Sequence, residues 1–158
     1  MSNYPPSSDP WADGGAPGPG GPPLASWGQR VGAYLVDALI GAAIGAVGWL
    51  LYAILGTVSD ALGVFFLVLG YIASIGFQIW NYVRQGNTGQ TIGKGVLNIR
   101  LVRLDGVEPP GVGLSIGRWF LHIVDALPCY LGFLWPLWDD KRQTFSDKIL
   151  NTVVVVTS

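Results

Sequence analysis

Charge is scarce in this sequence. Only 12% of its 158 residues are Asp, Glu, Lys or Arg, where a soluble domain carries about a quarter. With half of the residues hydrophobic, that shortage excludes an ordinary soluble fold and points to a small integral membrane domain whose first partner is the lipid bilayer. The net charge of −1 leaves no basic patch able to displace many counterions, so no nucleic-acid partner is expected. Cysteine occurs once, at Cys129, which excludes an internal disulfide. With a single histidine, His122, no Cys/His metal cluster can be assembled either. Cys129 reads as a small apolar filler. No metal and no cofactor is expected, and no enzyme activity, because no Ser/His/Asp or Cys/His nucleophile set is visible.

Residues 1–25 are rich in Pro, Gly and Ser, and their only charges are Asp9 and Asp13. Such a stretch offers too little apolar surface to offset the entropy of ordering, which predicts a disordered tail ahead of a domain over 26–158. The tail lacks Lys, Arg and a short apolar core, so it does not read as a secretory signal peptide.

What is abundant is long apolar sequence. Val31 to Leu55 is apolar except for Asp37 and long enough to span about 30 Å of hydrocarbon. Gly41 and Gly45, extended by Ala38, put small residues on one face where another helix can approach. Gly56 ends this run, Ser59 or Asp60 can cap the next, and Ala61 to Trp80 is a second span. The short link makes them an antiparallel hairpin. That link has no basic residue, whereas Arg84, Lys94, Arg100 and Arg103 follow the second span, so the positive-inside rule puts the tail and this segment in the cytoplasm.

The third apolar segment, Leu114 to Trp138, contains Arg118, His122 and Asp125 and is interrupted at Pro128. A single crossing would place Lys141, Arg142 and Lys148 outside, against the charge rule. A break at Pro128 that returns the chain is favoured. The expected fold is therefore an all-α membrane protein, a four-helix bundle made of two spans and a broken hairpin, with a small cytoplasmic β element pairing 96–104 with 152–157. Asp105-Gly106 signals a turn and a small hairpin after the first strand.

The charges within these runs need partners. Asp37 lies two helical turns beyond Arg30, roughly 10 Å along the axis, at a depth where an ionisable group costs at least ~2.5 kcal/mol and faces a bundle interior. Arg118, His122 and Asp125 fall at i, i+4 and i+7 and line one helical stripe. The expected pairings are Asp37 with Arg118 or His122, and Arg30 with Asp125 or the C-terminal acids. Arg30 to Leu39 and Arg118 to Leu127 share their Arg and a Val-Asp-Ala-Leu ending, which hints at duplicated helices about an approximate two-fold axis. The stripe has two readings: buried ion pairs that fix helix register, or a proton or cation relay through Asp37, His122 and Asp125 near the midplane.

Gly89-Gln90-Thr91-Ile92-Gly93-Lys94 invites a phosphate-loop reading that its spacing rejects. Three residues separate Gly89 from Gly93 where four are needed, and Gly95 follows Lys94 where Ser or Thr is needed. A glycine turn with Lys94 at headgroup level is the simpler account. The polar run around Asp140, Arg142 and Asp147 reads as an exposed turn, from which Arg142 and Asp147 could clamp the helix mouth near Arg30.

Arg30 with Asp37, the Gly89–Lys94 motif, Arg118, and the run Leu137 to Lys148 before Thr152 together resemble the RDD family of bacterial membrane proteins. The resemblance covers residues from about Ser26 to the end. It implies that Arg30, Asp37 and Asp147 are the arginine and aspartates that name the family, and that Ser146 stands where many members carry histidine. It also implies a bacterial inner-membrane location and, since ion exchange is reported for some members, a link to transport of a small ion or solute. A structural or accessory role, as a homo-oligomer or in a larger membrane complex, is the alternative.

Overall fold

The computed structural model describes residues 22–157. Two helices of 29 residues dominate it, α1 (Trp27–Leu55) and α2 (Asp60–Thr88). At 1.5 Å per residue each is about 43 Å long, more than a bilayer's hydrocarbon core requires. α1 starts in a closed capping box, in which Gln29 N donates to the Ser26 hydroxyl and Ser26 N to Gln29 Oε1. Most of the apolar surface of both helices stays uncovered by the chain, with Tyr34 67% and Ile72 60% exposed. Acyl chains solvate such a surface and water does not.

The hairpin closes on glycine. A Cβ on Gly48 would stand 2.7 Å from Gly70 Cα, and one on Gly63 2.8 Å from Gly56 Cα. Ser74 donates to Gly41 O at 2.9 Å. The expected Gly41/Gly45 face is used unevenly: a Cβ on Gly41 would stand 2.7 Å from Gln78 Nε2, whereas one on Gly45 would meet nothing within 4 Å. Gly41 and Gly48, seven apart, stay within about 20° of one face, whereas a spacing of four drifts about 40°. α2 continues past Trp80 to Thr88 and stops at Gly89 in the left-handed region, φ 75°.

A short helix, α3 (Ile92–Val96), follows and docks on α1, and leads into β1 (Ile99–Arg103). β1 pairs antiparallel with β2 (Thr152–Val156), Ile99 opposite Val156 and Arg103 opposite Thr152. The expected strand pairing is found, with tighter bounds. The expected hairpin is not: the Asp105-Gly106 turn forms, but Pro109 and Pro110 beyond it cannot donate to a ladder, and β2 is β1's partner. Ala25 N donates to Val154 O and Val156 N to Pro23 O, so residues 23–25 of the expected tail lie against the outer edge of β2, with Ala25 fully buried. The rest of that tail, 1–21, lies outside the described residues. The apolar core sits here, Ile99, Leu101 and Val154 facing Ala33 of α1, and Val102, Val153 and Val155 on the other side of the sheet.

The third segment breaks where proline predicted. α4 (Val112–Ala126) ends in a turn through Pro128, and α5 (Leu131–Leu134) with a 3-10 turn (Trp135–Leu137) leaves at 107°. The second arm is too short to be a fourth spanning helix of the expected bundle. The described chain holds two membrane-capable helices, or three if the bent pair counts as one span. The arm returns to the start of α1, where Trp27 Nε1 donates to Phe133 O at 2.9 Å. Cys129 is exposed in the turn with φ 51°, not a buried filler. A last short helix, α6 (Phe145–Ile149), precedes β2.

The echo between α1 and α4 extends much further in the structure. Fifty-three positions separate Gln90, Thr91, Leu97 and Asn98 from Gln143, Thr144, Leu150 and Asn151. In both stretches the threonine caps a five-residue helix, by accepting from Lys94 N or Asp147 N. The asparagine that follows is left-handed in both, φ 50° and 51°. Gln90 and Gln143 each donate to the first strand carbonyl, of Ile99 and Thr152. The sheet register seals the relation, because Leu101 is paired with its own counterpart, Val154. The units α1–α3–β1 and α4–α6–β2 thus follow the same order with matching caps, and the strand pairing has an approximate local two-fold axis through that pair.

Candidate ion cluster at the open end of the hairpin

The charges gather where α1 begins and α2 ends, away from the 56–59 link. At their centre is Asp147, fully buried in α6. Arg30 Nη1 donates to its Oδ2 and Arg118 Nε to its Oδ1, each at 2.7 Å. Thr152 Oγ1 and Thr144 N donate to the same carboxylate. Burial alone would raise this carboxyl, but the Arg118 and Arg30 guanidiniums outweigh it and hold Asp147 well below the usual carboxylate range. An ionised Asp147 thus joins α1, α4 and α6. The expected link from Arg30 to a C-terminal acid is found, while Arg118 turns to Asp147 and not to Asp37.

Asp37 is satisfied differently. Its Oδ1 accepts from Gly93 N at 2.7 Å and from Asn81 Nδ2 at 2.8 Å, and Asn81 Oδ1 accepts from Ile92 N. Neither Arg118 nor His122 reaches it. Only glycine fits at 93, because a Cβ there would stand 1.9 Å from Ala33 O. Gly93 therefore serves close helix docking in place of a simple turn, and Gly89 supplies the left-handed stop before it.

Asp125 repeats this arrangement in the second unit. Its Oδ1 accepts from Ser146 N at 3.1 Å, its Oδ2 from the Ser146 hydroxyl at 2.6 Å, and His122 Nδ1 lies 2.7 Å from Oδ2. The fold thus assembles a Ser, His and Asp that are scattered in sequence. Both Ser146 and Asp125 approach the same ring nitrogen, whereas a nucleophilic relay needs them on opposite nitrogens. Ser146 also contacts the Thr144 hydroxyl, which connects this group to Asp147.

Lys94 occupies the position in α3 that Asp147 holds in α6. Its ammonium donates to Gln85 Oε1. Among the described residues no carboxylate lies within ion-pair distance of it. Burial, reinforced by Arg118, pushes Lys94 well below the usual lysine range, and Asp147 and Asp37 offset only part of this. Four buried polar atoms around this cluster lack a hydrogen-bond partner: Arg30 Nε and Nη2, Gln85 Nε2 and Ser115 Oγ. Each such group costs about 1–3 kcal/mol if left so.

The remaining expected residues fall outside. Asp140 is exposed, and Arg142 donates to Leu24 O at 3.1 Å. Asn81, Gln85, Thr144 and Ser146 were not singled out as site residues. The i, i+4 spacing of Asn81 and Gln85 on a lipid-depth helix was the available signal for the first two.

Two lipid-solvated helices closed at one end by a buried ion cluster define a multi-pass membrane protein. The RDD family profile matches residues 24–151, and the chain belongs to that family. It is 46% identical over 85 residues to the proline-rich antigen homolog of Mycobacterium tuberculosis, covering 53% of this chain and 35% of that protein. It is 33% identical over 146 residues to the proline-rich antigen of Mycobacterium leprae, covering 80% of this chain and 59% of that protein. The chain thus spans about a third to three fifths of the length of these relatives. No solved structure matches it.

Proposed function

We propose that this protein carries, or assists in carrying, a small ion or solute across the bacterial inner membrane, with its N-terminus in the cytoplasm and no enzymatic activity. The observation that supports it is the buried cluster of ionised groups, Arg30 and Arg118 on Asp147, at the open end of two apolar helices, where apolar packing alone would stabilise the fold as well or better. Asp37, His122 and Asp125 complete its polar core, and the bent third segment serves as a re-entrant piece that keeps the C-terminal basic residues on the cytoplasmic side. Reconstituted into liposomes, the protein should show ion flux driven by a pH gradient, and Asp37→Asn should abolish it while the protein still folds. Flux absent, or unchanged by that substitution, sinks transport.

The second reading is a non-transporting structural or accessory subunit of a larger membrane complex. Gly45 and Gly76 favour it, because a Cβ added at either would meet nothing within 4 Å, which leaves room for another helix to approach. Co-purification with a defined membrane complex from native membranes is its test.

A further inference from the structure

The third apolar segment leaves the open end of the hairpin and comes back to it. α4 starts at the end of α2, where Gly111 N donates to Gly86 O at 2.9 Å and a Cβ on Gly86 would stand 2.4 Å from Val112 Cα. The arm beyond the bend is tied to the start of α1 by the Trp27–Phe133 bond, and to α6 by Trp135, whose ring lies 5.1 Å from that of Phe145. Both tethers belong to one end, since Arg30 of α1 pairs there with Asp147 of α6. From Gly86–Val112 to Tyr82–Trp119, α4 advances seven residues while α2 recedes four, so α4 runs obliquely and sinks about 6 Å for each 10 Å of its length. At that slope its 15 residues end about 12 Å below Gly86. Half of a hydrocarbon core is about 15 Å. The bend therefore lies short of the midplane, and the arm cannot reach the far side while Phe133 is bound to Trp27.

α4 has two faces. Arg118 and Asp125 are buried on one, and His122 stacks on Phe133 at 5.2 Å, whereas Phe120, Ile123 and Leu127 point outward on the other. No charged residue occurs from Ala126 to Trp138, and the bend is the barest part, Leu127 76% and Tyr130 65% exposed. The outward face continues that of α2 through the Tyr82–Trp119 contact. Acyl chains solvate such a continuous surface and water does not. We propose that the third segment is a one-leaflet lipid anchor. Phe120, Ile123, Leu127 and Tyr130 are embedded in the acyl chains at the open end of the hairpin, Trp135 and Trp138 lie at the headgroup boundary, and the described chain crosses the bilayer twice. The bend also covers an acid: a Cβ on Gly132 would stand 2.6 Å from Asp125 Oδ1, so the returning arm shields Asp125 from lipid. This anchor rests on the re-entrant placement of the bent segment and adds its depth, leaflet and partner; it holds whether or not an ion is carried.

Cys129 is the one cysteine of the chain and is exposed in the bend, so a nitroxide can be attached there without a mutation. In full-chain proteoliposomes of phosphatidylcholine, this label should be more accessible to oxygen than to a water-soluble nickel chelate. Its depth should fall between reference labels at Asp140→Cys, near the boundary, and Ile72→Cys, near the middle of α2, each in a Cys129→Ser background. Its distance to a second label at Val58→Cys, in the link at the closed end, should be about 30 Å or more. A label at Cys129 that the chelate reaches as freely as at Asp140→Cys leaves the segment non-crossing but overturns the anchor. A separation from Val58→Cys below about 20 Å overturns the re-entrant placement itself. Leu127→Glu should lift the Cys129 label toward water, and an unchanged depth in that variant counts against acyl contact.

Discussion

The two units share one scaffold and differ in what they put at its centre. In each, a helix carries Arg and Asp seven residues apart, a threonine-capped short helix lends a backbone N–H to that Asp, and a strand follows. At equivalent positions the first unit has Gly93 and Lys94, the second Ser146 and Asp147. Glycine lets α3 press onto α1 until Ala33 O leaves no room for a Cβ, whereas serine fills the wider gap between α6 and α4 and adds a hydroxyl bond to Asp125. The next residue then sets the sign of the charge delivered to the dyad. Backbone capping is thus the common frame, and the side chains mounted on it decide what each half holds.

Removing the second unit's charge should have the largest effect. Asp147→Ala leaves Arg30 and Arg118 buried without their acid, which costs about 3–5 kcal/mol. The expected result is loss of folded protein from the membrane, or a large fall in its unfolding temperature. A small change would mean that the two guanidiniums do not depend on Asp147, and the asymmetry between the halves would lose its meaning.

Single-atom changes at the paired positions come next. Gly93→Ala should destabilise by about 1–3 kcal/mol, since α3 must shift away from α1 to admit the methyl group. Ser146→Ala has room for its Cβ but leaves Asp125 one hydrogen bond short, a loss of about 1–2 kcal/mol, and Ser146→Gly should cost no less. Thermal unfolding of the variants in one detergent ranks them. Equal tolerance of alanine at both positions would contradict the difference in docking distance.

Much of the frame is legible in the sequence, because it rests on long-range pattern. Apolar length marks both spans, Pro128 marks the break, and the loosely alternating run before Asp105 and the β-branched run Thr152–Val156 mark the strands. The pairing of charges is less so. Asp37 looks for a cation when only side chains are counted, yet its donors are Asn81 and the amide of Gly93, and a backbone N–H leaves no trace in residue type. Asn81 and Gln85 fall beyond the second span when it is ended at Trp80, and become interior once the helix runs to Thr88. The Gln-Thr and Leu-Asn echoes between 90–98 and 143–151 are visible in one sequence, but they are short and interrupted by the very residues in which the units differ. Structure was needed to show that Leu101 pairs with its counterpart.

The mildest probe of the contrast is pH. Lys94 is held below the usual lysine range by burial and by Arg118, with Arg30 adding to this and Asp147 and Asp37 opposing it. The unfolded chain therefore binds more protons at Lys94 than the folded one between the lowered value and about 10.4, the ordinary lysine pKa. Stability must rise as pH increases through that window, by at most about 1.4 kcal/mol per pH unit for this one proton. Asp147 has the opposite window: its contribution is complete above the ordinary carboxylate pKa of about 3.9 and is lost only as pH falls below it. Between pH 7 and 9 only the lysine half responds. Unfolding temperatures measured across that range should climb in the parent protein and stay flatter in Lys94→Gln; parallel curves would show that Lys94 keeps its ordinary affinity for a proton and that the first unit is not the electrostatically strained one.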